Sequence, residues 1–467
     1  MASYDPEQLV FEQEVVSSIT PVLGIEDRPK TFLETLFYAW QVTLVDFTPF
    51  IWAGMFVTLA GLPQSVLPVM ISTCFLAMGV GTLIQTTVGN RLPIVQGPSA
   101  SVLSAMGPVT AMYGFPAMWG AVFVGGILEV LLGMSRVLGK IRKFIPPVVT
   151  GSVVATIGFV AARISLTWIF GSGRQIHLAL ALAAFLVALF LKFRCRGVMS
   201  RGFILVSTLL VGVGAATLLG EYDWARVAEA PWFAMPKLFP FRGLDGTDTA
   251  VAFVIAAVIG GLTGYIGSIF ESLGDYAATC AVSGESYRVK HINRGIAAEG
   301  AGCIASGFLG ALPVTSYTQN IGIIAATGIA SRFVTQVAAV MFLLYGLSPK
   351  LAVMLASIPR AAIGGVFAIS ASLIMFSGID VITSEKRNLK NNLVAGTALG
   401  MAIMLPFYAS TAGAKWAATL TPFWRMYVNN NVFIAVTVGV LMNLLVNHFL
   451  ASGDDDSSRM SRGGNSP

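Results

Sequence analysis

Apolar runs long enough to cross a lipid bilayer follow one another along almost the whole chain. A helix needs about 20 mainly apolar residues to span the hydrocarbon core. With 55% hydrophobic and only 11% charged residues, the composition is typical of a polytopic helical membrane protein. The predicted fold class is therefore all-α, with fourteen transmembrane spans at about residues 36–60, 65–87, 92–110, 113–135, 145–170, 176–193, 202–219, 250–275, 295–310, 314–329, 333–349, 359–379, 392–410 and 431–450.

Basic residues are concentrated in the loops that follow even-numbered spans. Short loops rich in Lys and Arg stay in the cytoplasm, so these loops and both chain termini are predicted to be cytoplasmic. The protein is therefore expected as a multi-pass chain in the cell membrane, either plasma or inner. The net charge of +6 reflects this topology and does not indicate a nucleic-acid partner. The basic loop residues are Arg91; Arg136, Lys140, Arg142 and Lys143; Lys192, Arg194, Arg196 and Arg201; Arg288, Lys290 and Arg294; Arg332; Lys386, Arg387 and Lys390.

An internal duplication is visible in two pairs of spans. Leu92-Pro93 and Gln96-Gly97-Pro98-Ser99 precede the third span, and Leu312-Pro313 and Gln319-Asn320 mark the tenth. Ile145-Pro146 opens the fifth span, and Ile358-Pro359 opens the twelfth. Seven spans, an odd number, separate the members of each pair, so the halves are predicted to be inverted repeats with a ligand near the midplane. The alternative is that the Leu-Pro and Ile-Pro pairs recur by chance, since proline is common in a first helical turn.

A polar segment interrupts the tenth span, where residues 319–328 read Gln-Asn-Ile-Gly-Ile-Ile-Ala-Ala-Thr-Gly. Polar, backbone-breaking sequence at membrane depth is tolerated only where it faces protein or a water-filled cavity, which predicts a binding site here. Gln319 offers an acceptor and two donors, which match a ring that carries carbonyl and N–H groups. Asn320 either does the same or ties down the interrupted backbone. Gly322 and Gly328 allow either backbone or ligand to approach closely.

Carboxyl groups at membrane depth are costly, so each is a candidate functional group. Glu271 is the strongest, and Asp275 lies one turn later on the same helical face. An ionised Glu271 can accept two parallel N–H bonds from the edge of a heterocycle, and the same group can hold or release a proton. The alternative is a structural ion pair, for instance with Arg163.

Two further carboxyl groups and several aromatic residues are weaker candidates. Glu299, set among glycines and alanines, either relays protons or braces the tenth span. Asp46 in the first span is a site residue or a structural one. Phe270, Tyr317 and Phe47 could stack on a flat ring or could simply pack in the membrane interior.

Metal, cofactor and enzyme chemistry find little support in the sequence. The four cysteines have no paired spacing, and the three histidines fall at span ends or in a loop, so neither a disulfide nor a metal site is predicted. No cofactor is expected. A membrane enzyme is disfavoured, because His-Glu-x-x-His and Gly-x-Ser-x-Gly motifs are absent. The cysteines are Cys74, Cys195, Cys280 and Cys303, and the histidines are His177, His291 and His448.

Together these motifs resemble the nucleobase-ascorbate transporter family, also called nucleobase:cation symporter-2, which includes xanthine/uracil permeases. The family signature is Gln or Pro, then Asn-x-Gly, four residues, Thr, and then Arg, Lys or Gly. Gln319, Asn320, Gly322, Thr327 and Gly328 match it in full. The stretch Glu271-Ser272-Leu273-Gly274-Asp275-Tyr276, followed by Glu299-Gly300, is similar to the family's eighth and ninth helices.

The resemblance implies a fold of seven plus seven inverted spans, with short strands in spans 3 and 10 that hold the substrate, and a homodimer. Glu271 and Gln319 would bind the base. Asn320, Asp275 and Glu299 would support binding or coupling, and the region of Gln96 and Ser99 would complete the pocket. The implied boundaries are a cytoplasmic arm (1–34), core domain (35–138), gate domain (139–249), core domain (250–350), gate domain (351–451) and cytoplasmic tail (452–467).

The chain departs from the family pattern at two positions. Many bacterial members have a histidine directly after the glutamine of the first span, whereas Val42 follows Gln41 here. Asp46, one turn beyond Val42, is a candidate replacement. Glu299 stands where purine-type members often have Asp. Gln319 favours oxopurines such as xanthine or urate, because ascorbate carriers tend to have Pro there and uracil carriers Glu.

The expected function is therefore secondary active symport of a purine nucleobase, imported with a proton by an elevator-type movement of the core against the gate. Two alternatives remain open at this point. One is a sodium-coupled nucleobase or ascorbate transporter. The other keeps the fold and carries inorganic anions, for which helix N-termini and a cation would replace the buried glutamate.

Overall fold

A computed structural model describes residues 20–135, 146–244, 246, 248–384 and 388–449 of the chain. Most of these residues are helical, as the sequence predicts. In this part of the chain eight helices are long and apolar enough to cross a membrane, and ten spans result if each of two sharply bent helix pairs counts as one. Fourteen spans therefore remain a prediction. Several predicted features lie outside the described residues: most of the arm 1–34, the tail 452–467, Ile145, Arg136, Lys140, Arg142, Lys143, Lys386 and Arg387.

The first half of the chain alternates long helices with short connecting elements. Its helix α4 bends at Gly114, where φ is 78°, and α8 is π-helical from Thr208 to Ala215. The elements are α1 (Phe32–Val45), α2 (Pro49–Leu59), a 3-10 turn (Gln64–Val66), α3 (Leu67–Thr87), β1 (Gln96–Pro98), α4 (Ala100–Ser135), α5 (Pro147–Phe170), α6 (Gln175–Arg194), α7 (Val198–Arg201), α8 (Phe203–Leu218) and α9 (Trp224–Glu229).

The second half repeats this alternation. Its two bent pairs are α13 with α14, at 78°, and α18 with α19, at 84°. The elements are α10 (Ile255–Val282), α11 (Val289–Leu309), β2 (Val314–Ser316), α12 (Thr318–Thr327), α13 (Arg332–Gly346), α14 (Pro349–Ala356), α15 (Arg360–Ser384), α16 (Leu389–Ser410), α17 (Ala414–Thr419), α18 (Pro422–Val428) and α19 (Asn431–Leu444), which continues as a π-helix (Leu445–Phe449).

The two strands pair with each other in an antiparallel two-stranded sheet that is buried inside the protein. Gln96 lies opposite Ser316, and Pro98 lies opposite Val314. Each strand leads directly into a helix, β1 into α4 and β2 into α12. The sequence predicted broken backbone within residues 319–328, but these residues are helical up to Thr327. The extended backbone lies before them, and the helix ends at Gly328, where φ is 70°. This correction follows from Gly322, which is compatible with a helix when its neighbours are good helix formers.

Helices α5 and α15 lie in backbone contact because glycines face the partner helix. A Cβ atom at Gly158 would collide with the backbone of Met375, and one at Gly151 would approach the carbonyl of Gly378. Small residues at such positions let membrane helices approach closely and gain dispersion contacts. The pair α5 and α15 consequently forms a rigid wall beside the strands.

We expect Gly158→Ala to lower the thermal unfolding temperature, because the added methyl group forces α5 away from α15. Overpacking of this kind costs about 1–3 kcal/mol. Gly396→Ala on α16 is the matched control, since a Cβ there meets no atom within 4 Å and the residue is exposed. The measurement is thermal unfolding of the purified protein in detergent. Equal unfolding temperatures for the two variants would contradict the proposed close contact.

Candidate functional site

A cavity of about 490 Å³ lies between the strands and the α5–α15 wall. This size is typical of a small-molecule site. One side of the cavity is formed by α10, the two strands and the start of α12, and the other by α5 and α15. Lys192 and Arg201, on α6 and α7, also line it. The polar residues on the strand side are Glu271, Thr315, Tyr317, Thr318 and Gln319.

Most of the hydrogen-bonding capacity of the Glu271 carboxylate is not used by the protein. It is partly exposed to the cavity and accepts one hydrogen bond, from Ser101 Oγ at 3.3 Å. A carboxylate has about four acceptor positions, so most of this capacity is available to a ligand. The structure does not support the ion pair with Arg163 that the sequence left open. Arg163 is exposed and lines a different cavity.

Gln319 and Asn320 are adjacent on α12 but point in different directions. Gln319 is exposed and lines the cavity together with Gly322, around which there is open space. Asn320 is buried, and its Nδ2 donates to the carbonyl oxygen of Pro93 at 2.7 Å. Of the two roles that the sequence left open for Asn320, the structure shows the one that ties down the backbone.

Of the other predicted binding residues, Tyr317 lines the cavity and the rest do not. Tyr317 lines the cavity, and its ring occupies the space that a Cβ atom at Gly97 would need. Phe270 instead packs against a neighbouring apolar cluster and does not line the cavity. Gln96 is fully buried outside the cavity lining, and neither atom of its side-chain amide has a hydrogen-bond partner among the described residues. Ser99 accepts a hydrogen bond from Val102 N at 3.2 Å and so caps α4.

Behind the cavity wall, Asp275 and Glu299 belong to one network of hydroxyl groups. Asp275 accepts hydrogen bonds from Ser316 at 2.9 Å and from Thr318 at 2.8 Å. Ser316 also lies 2.9 Å from Ser272, which donates to Glu299 at 2.7 Å. Because Thr318 lines the cavity, the network connects the cavity with Glu299. The other donors to Glu299 are Ser268, Thr315 and Tyr276, at 3.0–3.1 Å.

Asp46 and Phe47 lie at the break between α1 and α2. Asp46 is fully buried, and neither of its carboxyl oxygens has a hydrogen-bond partner among the described residues. It does not line the cavity. Phe47 packs against Phe75 and Tyr345, with ring centroids 4.8 and 5.4 Å apart, so its role is packing.

The structure also places residues at the site that the sequence analysis did not single out. Ser101 binds Glu271, and Ser370 on α15 lines the cavity from the opposite side with a buried hydroxyl that has no partner among the described residues. Glu129 on α4 is 1% exposed and faces Glu299. A carboxyl group within the apolar fourth span was a detectable signal for Glu129. No such signal marks a single serine in a membrane helix.

No resident metal ion is indicated in the part of the chain that the structure describes. No group of three or more His, Cys, Asp or Glu side chains there could hold one. The polar side chains on the strand side of the cavity are hydrogen-bond donors and acceptors.

The helical membrane fold, with a cavity lined by one acid and one amide, defines a polytopic membrane permease. Residues 33–411 match the model of a family described as Permease family, Xan_ur_permease. The chain therefore belongs to this family, the nucleobase-ascorbate transporters, as its motifs indicated. It is a transporter and not an enzyme.

Curated relatives agree with this assignment, and solved structures show a similar fold. The uric acid permease PucK of Bacillus subtilis is 29% identical over 76% of this chain and 84% of its own length. The xanthine permease XanQ of Escherichia coli is 29% identical over 82% of this chain and 85% of its own length. The transmembrane domain of the cyanobacterial bicarbonate transporter BicA has a TM-score of 0.57 at 15% identity, covering 90% of this chain and 99% of that one. SLC26A9 has a TM-score of 0.61 at 12% identity, covering 90% of this chain and 66% of that one. These two likenesses show the fold alone.

We expect Asn320→Ala to destabilise the protein and Gln319→Ala to leave its stability unchanged. The first variant leaves the buried carbonyl of Pro93 without its donor, which costs about 1–3 kcal/mol. The second removes a side chain that faces the cavity, and such changes stay within about 0.5 kcal/mol. Thermal unfolding of both purified variants without ligand makes the comparison. The reverse order of stabilities would show that the assigned roles are exchanged.

Proposed function

We propose that this protein is a secondary active symporter that imports a purine nucleobase, xanthine or urate, together with a proton. The observation that carries the proposal is the position of Glu271 and Gln319 on the wall of one cavity. The free acceptor positions of the carboxylate suit ring N–H groups, and the amide suits a neighbouring carbonyl and N–H. The names of PucK and XanQ, a uric acid permease and a xanthine permease, support a purine substrate.

Each proposed residue has a defined role in this scheme. Glu271 and Gln319 bind the edge of the base, and Tyr317 and Gly322 shape the adjoining wall. The Asn320 side chain, the backbone of Gln96 and the Ser99 hydroxyl hold the strands and helix starts in place. Phe270 does not line the cavity and contributes by packing against the neighbouring apolar cluster. Asp275, Glu299 and Glu271 form the coupling group, and Asp46 at the α1–α2 break supplements it in place of the absent histidine.

The proposed transport movement displaces a core domain against a gate domain. The core comprises residues 35–138 and 250–350, and the gate comprises residues 139–249 and 351–451, in seven plus seven inverted spans. Two features support this division. The cavity lies where α10 and α12 of the core face α5 and α15 of the gate, and the gate side is held together by the glycine contact. Both termini are proposed to be cytoplasmic, and the assembly is proposed to be a homodimer.

We expect Glu271→Gln and Gln319→Ala each to reduce uptake of labelled xanthine by roughly 100-fold or more, because a buried ring N–H or carbonyl loses its partner. Glu271→Gln places an amide donor where an acceptor is needed. Glu229→Gln is the matched control, since Glu229 is an exposed glutamate on α9, and it should transport normally. The assay is initial uptake at equal surface expression. Wild-type uptake by both cavity variants would remove the proposed site.

A second candidate function is anion transport, which the two basic residues lining the cavity, Lys192 and Arg201, favour. The likeness to a bicarbonate transporter concerns only the fold. Under anion transport, chloride or sulfate would occupy the same cavity and purines would not.

One set of uptake measurements separates the purine, sodium and anion alternatives. We expect xanthine uptake to collapse with a proton ionophore, to persist when choline replaces sodium, and to resist competition by excess chloride or sulfate. The reason is that the buried carboxyl groups of the coupling group can carry a proton. Dependence on sodium would favour a sodium-coupled nucleobase or ascorbate carrier. Inhibition by inorganic anions would favour the anion transporter.

A further inference from the structure

A second cavity, of about 290 Å³, follows the transport cavity along the same two helices. On α4, Ala100 lines the first cavity, whereas Ser104 and Pro108 line the second. On α5, Ile157 lines the first and Arg163 the second. Because a helix rises 1.5 Å per residue, the two cavities are separated by about one to two helical turns. They are neighbouring cavities along these two helices.

The predicted topology places the second cavity nearer the outside than Lys192 and Arg201. Those two residues belong to a loop that the charge pattern predicts to be cytoplasmic. Arg425, on α18, lines the second cavity and belongs to the connection after the thirteenth predicted span, which is external in the same scheme. The second cavity is therefore placed between the outside and the transport site.

The lining of the second cavity is positively charged. Arg163 and Arg425 both line it, and no acidic residue among the described parts of the chain does. The guanidinium group of Arg425 is held in place, because its Nη2 donates to the carbonyl oxygens of Ala418 at 2.6 Å and Leu420 at 3.3 Å. Its Nε is buried and has no hydrogen-bond partner among the described residues. A positioned donor is thus left without an acceptor.

A second unused polar group lies in the same cavity. Ser104 is 4% exposed, and its hydroxyl has no hydrogen-bond partner in the described part of the chain. Buried polar groups are almost always paired, and leaving one unpaired is costly. Two positive charges line this cavity and two unpaired donors are buried beside it, which favours a ligand that is anionic and rich in acceptors.

We propose that the second cavity is an entry site that binds the anionic form of an oxopurine, such as urate, before it reaches Glu271. This inference rests on the purine transport proposed above and adds the charge state that is selected. A deprotonated ring nitrogen and its neighbouring carbonyl oxygen present two acceptors side by side, which the N–H fork of arginine matches. The Ser104 hydroxyl supplies a third donor.

The proposal separates the first contact of the anion from the Glu271 carboxylate. An anion approaching Glu271 directly would meet a like charge in a medium of low dielectric constant. In the entry site it is held by Arg163 and Arg425, where no carboxylate lines the wall. The arginines therefore raise the local concentration of the anion next to the transport cavity.

The test is the concentration dependence of labelled urate uptake by the full-length protein in proteoliposomes. We expect Arg163→Gln and Arg425→Gln each to raise KM roughly tenfold with kcat unchanged, the loss of one charged hydrogen bond. Rising ionic strength should raise the KM of the wild type more than that of either variant, because each variant keeps one of the two arginines. Arg425→Lys keeps the charge and loses the forked pair of N–H donors, so its KM should lie between those of the wild type and Arg425→Gln. Arg226→Gln, an exposed arginine on α9, is the control and should behave as wild type.

Each outcome decides the proposal. Wild-type KM in both glutamine variants, or an equal rise in Arg226→Gln, would overturn the entry site while leaving purine transport standing. An equal rise in KM for hypoxanthine, which is neutral, would show that charge is not what the cavity selects. Failure of the wild type to transport any purine would instead overturn the proposed function. Arg163 is exposed, so its replacement creates no buried cavity and keeps the test available even if Arg425→Gln does not fold.

Discussion

Backbone groups that leave a helix inside a bilayer need hydrogen-bond partners, and in this chain each interrupted span supplies partners for the other. The strands Gln96–Pro98 and Val314–Ser316 pair, Ser99 N donates to the Pro313 carbonyl at 2.8 Å, and Tyr317 N donates to the Val95 carbonyl at 3.0 Å. Without water in the hydrocarbon region, neither strand could be stable alone. The helices that begin after the strands, and the side chains they carry into the cavity, depend on this pairing.

The pairing also divides the polar residues into two groups with different surroundings. Glu271 and Gln319 face the cavity and keep free hydrogen-bonding capacity. Asp275 and Glu299 lie behind the strand and are surrounded by hydroxyl donors. A ligand in the cavity thus meets groups that are available for binding, whereas Asp275 and Glu299 already accept hydrogen bonds from the protein. The acids therefore lie in two layers, one that faces the cavity and one that is held by the hydroxyl groups of the protein.

Much of the site could be predicted from the sequence, because acids, amides and glycines are conspicuous in apolar spans. Glu271 and Gln319 were identified in this way, and the structure brings both to one cavity. The direction of each side chain could not be predicted, since it depends on where a helix begins. Asn320 follows Gln319 by one residue, yet the start of α12 at Thr318 turns it toward Pro93. The serines that bind the acids carry no sequence signal of their own.

The fold illustrates a similar limit. The apolar pattern identified the helices, but it could not show that the broken backbone precedes Gln319, because a three-residue strand is shorter than any periodicity. Nor could it show which glycines meet another helix, as Gly158 does, and which face open space, as Gly396 does. Those properties belong to the packed structure.

The donors around Glu299 are all hydroxyl groups, from Ser268, Ser272, Thr315 and Tyr276. A hydroxyl group can both give and receive a hydrogen bond, and it changes between the two by rotating about one bond. An arginine or lysine in the same place could only donate and would fix the acid in its charged form. This shell can therefore follow the acid through a change of charge without any movement of the backbone.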